Sequence, residues 1–310
     1  MRALFLFAIM CLLWGATWYP IKVAAEIAGP FWMGSVRFLI AGGLILLFLY
    51  LKEKRLPAVP GWPRFVVGAL ILYGFLYLGL FWSSTRLPSA VSALVHFAML
   101  PVGYMIFGSL IEKEKLSYRH FVGLLLGFVG VSMLFVPNIE GDIGTLDVIG
   151  VVVVLVTTLT MGLGAVMVRP VMQSIPVYAA AGYGLLIGGS FLLVFAVAEK
   201  ADGWYDIVVS LERPDFLLSF IYLVFFASMG ALGIYLLLLR DWGSVRSSLY
   251  AYVSPLIALM ISVFITDETV VPVQIAAAIP MLLGAAFSSN VPWGRLLRGK
   301  SLSPAKPVSD

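Results

Sequence analysis

The chain has 310 residues, 61% of them hydrophobic and only 12% charged, and a mean hydropathy of +1.03. Soluble domains carry roughly 45–50% apolar and roughly 25% charged residues, so a soluble enzyme, a secreted domain, a disordered chain and a nucleic-acid binder are excluded, and a net charge of +4 is too small to argue otherwise. A single cysteine, Cys11, and two histidines rule out an intramolecular disulfide framework and a His/Cys metal cluster.

In chain order, ten mostly apolar stretches are long enough to cross a bilayer, which takes roughly 20 residues. They are 3–22, 31–50, 65–82, 90–110, 119–136, 147–168, 178–197, 216–239, 247–265 and 272–290. The first follows Arg2, as a signal sequence would. No small-residue cleavage site comes after it, and the run continues through Trp14, Trp18 and Tyr19, so it is expected to be retained. Polar residues, Pro and Gly gather in the connections, as at 52–63, 112–117 and 137–144. Runs such as 44–51 and 151–156 do not alternate, which argues against a β-barrel. Helices satisfy their own backbone in lipid, so the expectation is an all-α integral membrane bundle of ten transmembrane helices.

Orientation follows from the basic residues. With the N-terminus in the cytoplasm, 15 of the 20 Lys and Arg fall on the cytoplasmic side. Four (Lys22, Arg86, Lys200, Arg213) fall outside, and Arg37 alone lies within a span. Both termini are then cytoplasmic, 291–310 is a basic tail, and the protein is expected in the cell inner (plasma) membrane, crossing it many times.

The chain also repeats. At one ungapped offset of 154, Pro101 falls on Pro255, Glu114 on Glu268 and Gly130 on Gly284. At 147, Gly15 falls on Gly162 and Lys22 on Arg169; at 146, Gly42-Gly43 falls on Gly188-Gly189 and Arg37 on Tyr183. Ten spans are thus five plus five, over 1–136 and 147–290. Because five is odd, the second copy enters from the opposite side. Inverted repeats are typical of secondary transporters, whose site near the midplane faces each side in turn.

These residues resemble the drug/metabolite transporter superfamily, EamA type. The resemblance rests on Trp14-Gly15 followed by Lys22, on Arg37-Phe38 with Ala41, on Pro101 with Glu112-Lys113-Glu114, on Gly123, Gly127 and Gly130, and on Pro255 and Glu268 in the second half. It covers 3–290. It implies an inner-membrane carrier exporting amino acids or related metabolites, with relatives that move sugar phosphates or nucleotide-sugars. Arg86 and His96 depart from the small or apolar residues usual at those places.

No Asp or Glu lies inside a span, and no HExxH, Walker or GxSxG pattern occurs. No catalytic residue, metal or cofactor is expected. The candidate substrate-binding residues are polar or aromatic side chains within spans. Lys22 closes the first span and either snorkels to headgroups or meets substrate. Arg37 either bonds backbone carbonyls or receives a carboxylate or phosphate, for which its planar fork is suited. Trp14 with Trp18, and Tyr73 with Tyr77, share helix faces at i, i+4 and either pack helices together or wall a pocket. Ser92 and His96 lie on one stripe of the fourth span; His96 maps onto Tyr250, which shares a face with Ser254. His96 either bonds a neighbouring helix or carries a coupled proton, since an unperturbed imidazole titrates near 6.5.

The expected function is a secondary carrier working by alternating access, exporting an amino acid or similar small metabolite. The alternative is an importer or exchanger of an anionic or phosphorylated solute, and a remote one is a non-transporting membrane sensor or scaffold. The expected partners are a small-molecule substrate and the lipid bilayer, with no nucleic acid, as a monomer or homodimer.

Overall fold

The structure is a computed structural model and describes residues 2–84, 86–87, 89–135, 148–265 and 271–288. The basic tail and the Glu268 match of the repeat lie outside the described residues. Every described element is helical. Among the described residues, nine helical runs are long and apolar enough to cross a membrane, and a further apolar run, Pro272–Ser288, is shorter.

The first run is broken. α1 (Arg2–Gly15) and α2 (Trp18–Ala28) are separated at Ala16 and Thr17. The sequence reading treats 3–22 as one helix, and Pro20 explains the difference. Its nitrogen has no hydrogen for the Ala16 carbonyl, and its ring crowds that carbonyl. The Thr17 hydroxyl donates to the Leu13 carbonyl at 2.7 Å, and the Tyr222 hydroxyl donates to the same oxygen at 2.9 Å. The chain then turns at Gly29, with φ of +75°, into Pro30, whose fixed φ opens α3 (Pro30–Glu53).

α4 (Trp62–Ala69) passes through a π-helical turn (Leu70–Phe75) into α5 (Leu76–Ser84). α6 (Ser89–Ile111) holds Pro101, and α7 (Tyr118–Phe135) ends the first half. The second half begins with α8 (Val148–Val168), α9 (Val171–Ser174) and α10 (Val177–Glu199). After the short α11 (Gly203–Ser210), α12 (Pro214–Ile221) runs through a second π-helical turn (Tyr222–Ala231) into α13 (Leu232–Trp242). Then follow α14 (Ser244–Ser247), α15 (Tyr250–Ile265) with Pro255 inside it, α16 (Pro272–Ala276) and α17 (Ala278–Ser288).

The halves interlock rather than lie side by side. α3 packs on α10, α7 on α17, α6 on α8 and α1 on α15. Lipid tails are as apolar as leucine, so close backbone approach holds such helices together, and small residues permit it. Gly123 and Gly284 sit at the α7–α17 crossing, and Gly42 and Gly182 at the α3–α10 crossing. Facing outward, Phe48, Leu110, Leu125, Val194 and Leu218 are each more than half exposed, as a lipid-facing belt requires.

Candidate functional site

The middle of the bundle is aromatic and draws on both halves. Trp14, two residues before the break in the first run, sets its ring at a tilt 5.3 Å from Tyr235 and 4.6 Å from Tyr250. Tyr235 and Tyr250 meet edge to face at 5.9 Å. The hydroxyls of Tyr104, on α6, and Tyr235, on α13, bond directly to each other, and both residues are fully buried. Tyr73 lies in the π-helical turn, and its side chain fits a notch left by Gly184 and Gly188 of α10, where a Cβ would stand 2.4 Å from its ring or its own Cβ. Electrostatic contact links Tyr73 to Tyr77, Tyr104 and Tyr235, and Tyr250 to Tyr77 and Tyr104. One connected cluster therefore spans the first, third, fourth, eighth and ninth runs.

Arg37 adjoins this cluster. Its Cζ lies 4.8 Å from the centre of the Phe38 ring and 5.5 Å from that of Tyr77, and Phe38 meets Tyr77 edge to face at 5.0 Å. The residue is only 2% exposed, and its Nε and Nη1 have no hydrogen-bond partner. Ring faces offset part of the cost of burying the cation. The Tyr77 hydroxyl lies within hydrogen-bonding reach of the guanidinium, but Nε and Nη1 still lack the in-plane acceptors that the fork calls for.

The other residues singled out in the sequence are placed variously. Lys22 is exposed on α2. Trp18 opens α2, and its side chain lies outside the described residues. His96 is buried, and its Nδ1 lies 3.0 Å from the Thr158 hydroxyl of α8, a bond between helices. Ser92 and Ser254 are buried; the Ser92 hydroxyl lacks a partner, and the Ser254 hydroxyl lies within hydrogen-bonding reach of the Cys11 thiol. Thus Trp14, Tyr73, Tyr77, Tyr250 and Arg37 come together, while Lys22 is exposed and His96 bonds Thr158.

Tyr104 and Tyr235 were missed by the sequence reading. Tyr104 lies about 120° around α6 from Ser92, off the stripe that Ser92 and His96 mark, so that stripe does not reach it. Tyr235 carries no signal either, because its role comes from a partner 131 residues away.

Among the described residues, hollows open at the side of the bundle. One of about 530 Å³ is apolar and opens beside Trp62, Tyr183 and Phe191. Another, of about 340 Å³, is lined by Arg64, Glu112, Arg169 and Gln173 at the end of α6 and α8.

Comparison with known proteins agrees with this architecture. The sequence profile of the EamA-like transporter family matches twice, over residues 1–136 and 148–290. The chain is 28% identical over 300 residues to YedA of Escherichia coli K12, an uncharacterized inner membrane transporter, covering 96% of this chain and 91% of that one. It is 26% identical to YvbV of Bacillus subtilis, an uncharacterized transporter, covering 86% and 85%. A solved crystal structure superposes with a TM-score of 0.72 at 17% identity, covering 94% of this chain and 99% of the other, which shows a common fold.

Proposed function

The chain belongs to the EamA-like transporter family, and we propose that it is an inner-membrane secondary carrier that works by alternating access and exports an amino acid or related small metabolite. The observation that carries this reading is Arg37. It is a buried cation with two unpartnered nitrogens at the edge of an aromatic cage, and none of the described ion pairs involves it. A substrate carboxylate would complete its fork, and Trp14, Tyr77 and Tyr250 would hold the attached side chain. A phosphate would satisfy the same nitrogens, which is the alternative reading.

The same proposal takes the chain as two inverted five-helix repeats, 1–136 and 147–290, with both termini cytoplasmic. Four features support it. The family profile matches both segments. π-helical turns occur in the third and the eighth run alike. The α6–α8 contact has its counterpart in α15–α1, and Gly162 against Gly103 has its counterpart in Gly15 against Ile257. The basic residues favour the cytoplasmic side.

The test is uptake by everted membrane vesicles, screened across amino acids and organic phosphates, with Arg37→Lys beside the natural protein. Accumulation of a carboxylate substrate, reduced severalfold in Arg37→Lys at equal membrane levels, is expected. Transport of phosphates alone would favour the alternative, and a lysine variant as active as the natural protein would overturn the forked contact.

A further inference from the structure

At the end of the bundle where α6 and α8 finish, two carboxylates and one guanidinium form a closed knot between the halves. Arg169 Nη1 lies 2.8 Å from Glu112 Oε2 and 3.8 Å from Glu114 Oε1. Ser244, at the α13–α14 turn, donates its backbone N–H to Glu114 Oε1 at 3.1 Å and its hydroxyl to Glu112 Oε2 at 2.9 Å. The two carboxyl groups lie within hydrogen-bonding reach of each other. Arg169 Nη2 also donates to the Arg240 carbonyl at 3.5 Å. The knot therefore ties α6 of the first half to α8, α13 and α14 of the second.

Space is left for it deliberately in the backbone. Gly243 has φ of +87°, and a Cβ there would stand 2.2 Å from Glu114 Oε1. A Cβ on Gly108 would stand 2.6 Å from the Ser244 hydroxyl. Both glycines keep the carboxylates and the turn in contact.

Counting charge, Glu112, Glu114 and Arg169 sum to zero only when one carboxyl carries a proton. Of the neighbouring cations, Arg64 lines the same cavity as Glu112 and Arg169. Arg240 is bound to its own Asp241 at 2.7 Å, and Arg64 turns its Nη2 to the Val166 carbonyl at 3.4 Å. Lys113 and Lys115 are exposed on the same loop. Arg246 lies within electrostatic reach of His120, whose Nδ1 accepts the Ser117 N–H.

We propose that the Glu112–Glu114 pair binds one proton from the cytoplasm when this end of the carrier closes and returns it on opening, so that cytoplasmic pH sets how readily this end opens. The proposal rests on the alternating-access reading and the orientation given above. The only bond made or broken is the carboxyl O–H, with water as donor and acceptor. Both exchanges occur on one side of the membrane, so the proton regulates the cycle and does not drive it.

The direction of the effect is fixed by linkage. Burial, and then the charge of Glu112, push the Glu114 carboxyl up to about 7 in the closed knot. In an opened, hydrated end it returns toward the ordinary carboxylate range, about 4.3. The closed form then holds the proton more tightly, so acid favours closure. Raising the pH shifts the balance toward opening by up to about tenfold per unit, and the shift ends once the pH passes the closed-state value.

Spin labels on Tyr118→Cys and Ser174→Cys, in a Cys11→Ser background with the full chain in nanodiscs, report the separation of the halves at this end. We expect a short-distance population that shrinks from about pH 5 to about pH 7.5 and levels off above. In Glu114→Gln, which cannot lose a proton, it should stay short throughout. An unchanged pH response in Glu114→Gln, or no response in the natural pair while Arg169→Ala moves to longer distances, overturns the proton latch and leaves alternating access standing. A single short distance in all three proteins overturns alternating access at this end, and the latch with it.

Discussion

Gly162 of α8 meets the backbone of Gly103 of α6 so closely that a Cβ on Gly162 would stand 2.4 Å from the Gly103 carbonyl carbon. At the other crossing of this kind, a Cβ on Gly15 would stand 2.6 Å from Ile257 Cγ2. Backbone cannot yield as the tip of a side chain can. Gly162→Val should therefore force α6 and α8 apart, at a cost of about 1–3 kcal/mol, and lower the thermal midpoint in detergent. Gly43→Ala meets nothing within 4 Å and should leave the midpoint unchanged or raise it slightly. Equal midpoints for Gly162→Val and the natural protein would contradict the crossing.

The paired hydroxyls of Tyr104 and Tyr235 give a second expectation. Removing one leaves the other buried without a partner, which costs about 1–3 kcal/mol, whereas removing both can be nearly neutral. Tyr104→Phe and Tyr235→Phe should each unfold more easily than the double variant. Additive losses in the thermal midpoint would mean that the hydroxyls do not depend on each other.

Inversion of the repeats makes equivalent loops face opposite sides. The connection between α3 and α4 and the one between α10 and α12 occupy the same place in their halves. In a Cys11→Ser background, Ala58→Cys should react with an impermeant maleimide only from the cytoplasm and Ala201→Cys only from outside. Both side chains are exposed in the structure. Labelling of the two from one side would remove the inverted arrangement and the mechanism built on it.

His96 is held by Thr158 at 3.0 Å, so a change that keeps a hydrogen bond should be tolerated. His96→Gln is expected to transport at near-natural rates and to respond to an imposed pH gradient just as the natural protein does. A variant that exchanges substrate but has lost its response to the gradient would instead assign the coupled proton to this imidazole.

Nine of the ten expected spans were legible from length and hydropathy, and Arg37 was legible as a charge well inside an expected span. The first run, by contrast, extends past its expected end and so holds both Lys22 and Glu26. The break before Pro20 could have been read from the proline, yet a run of apolar residues on both sides concealed it. The π-helical turns could not be read, since Leu70–Phe75 and Tyr222–Ala231 differ little in composition from the helices they interrupt. Tyr104 and Tyr235 stayed hidden for a different reason. A tyrosine within an apolar helix signals nothing until the helix bearing its partner arrives. The knot at Arg169 was half visible, as a Glu–Lys–Glu cluster and a basic span end, but its closure by Ser244 depends on the shape of the α13–α14 turn.

The two π-helical turns carry a mechanical consequence. A π turn holds a surplus residue, its N–H groups reaching one carbonyl farther back than in an α-helix. Moving that surplus along the axis by exchanging successive carbonyl partners turns the intervening side chains by about 100° each, while the ends of the helix stay where their neighbours clamp them. Tyr73 sits on one such dislocation, and Tyr222, which grips the carbonyl at the break in the first run, begins the other. The third and eighth runs thus contain the means to re-aim an aromatic ring or release a neighbouring helix by local rewinding, without any hinge that swings a whole segment through lipid.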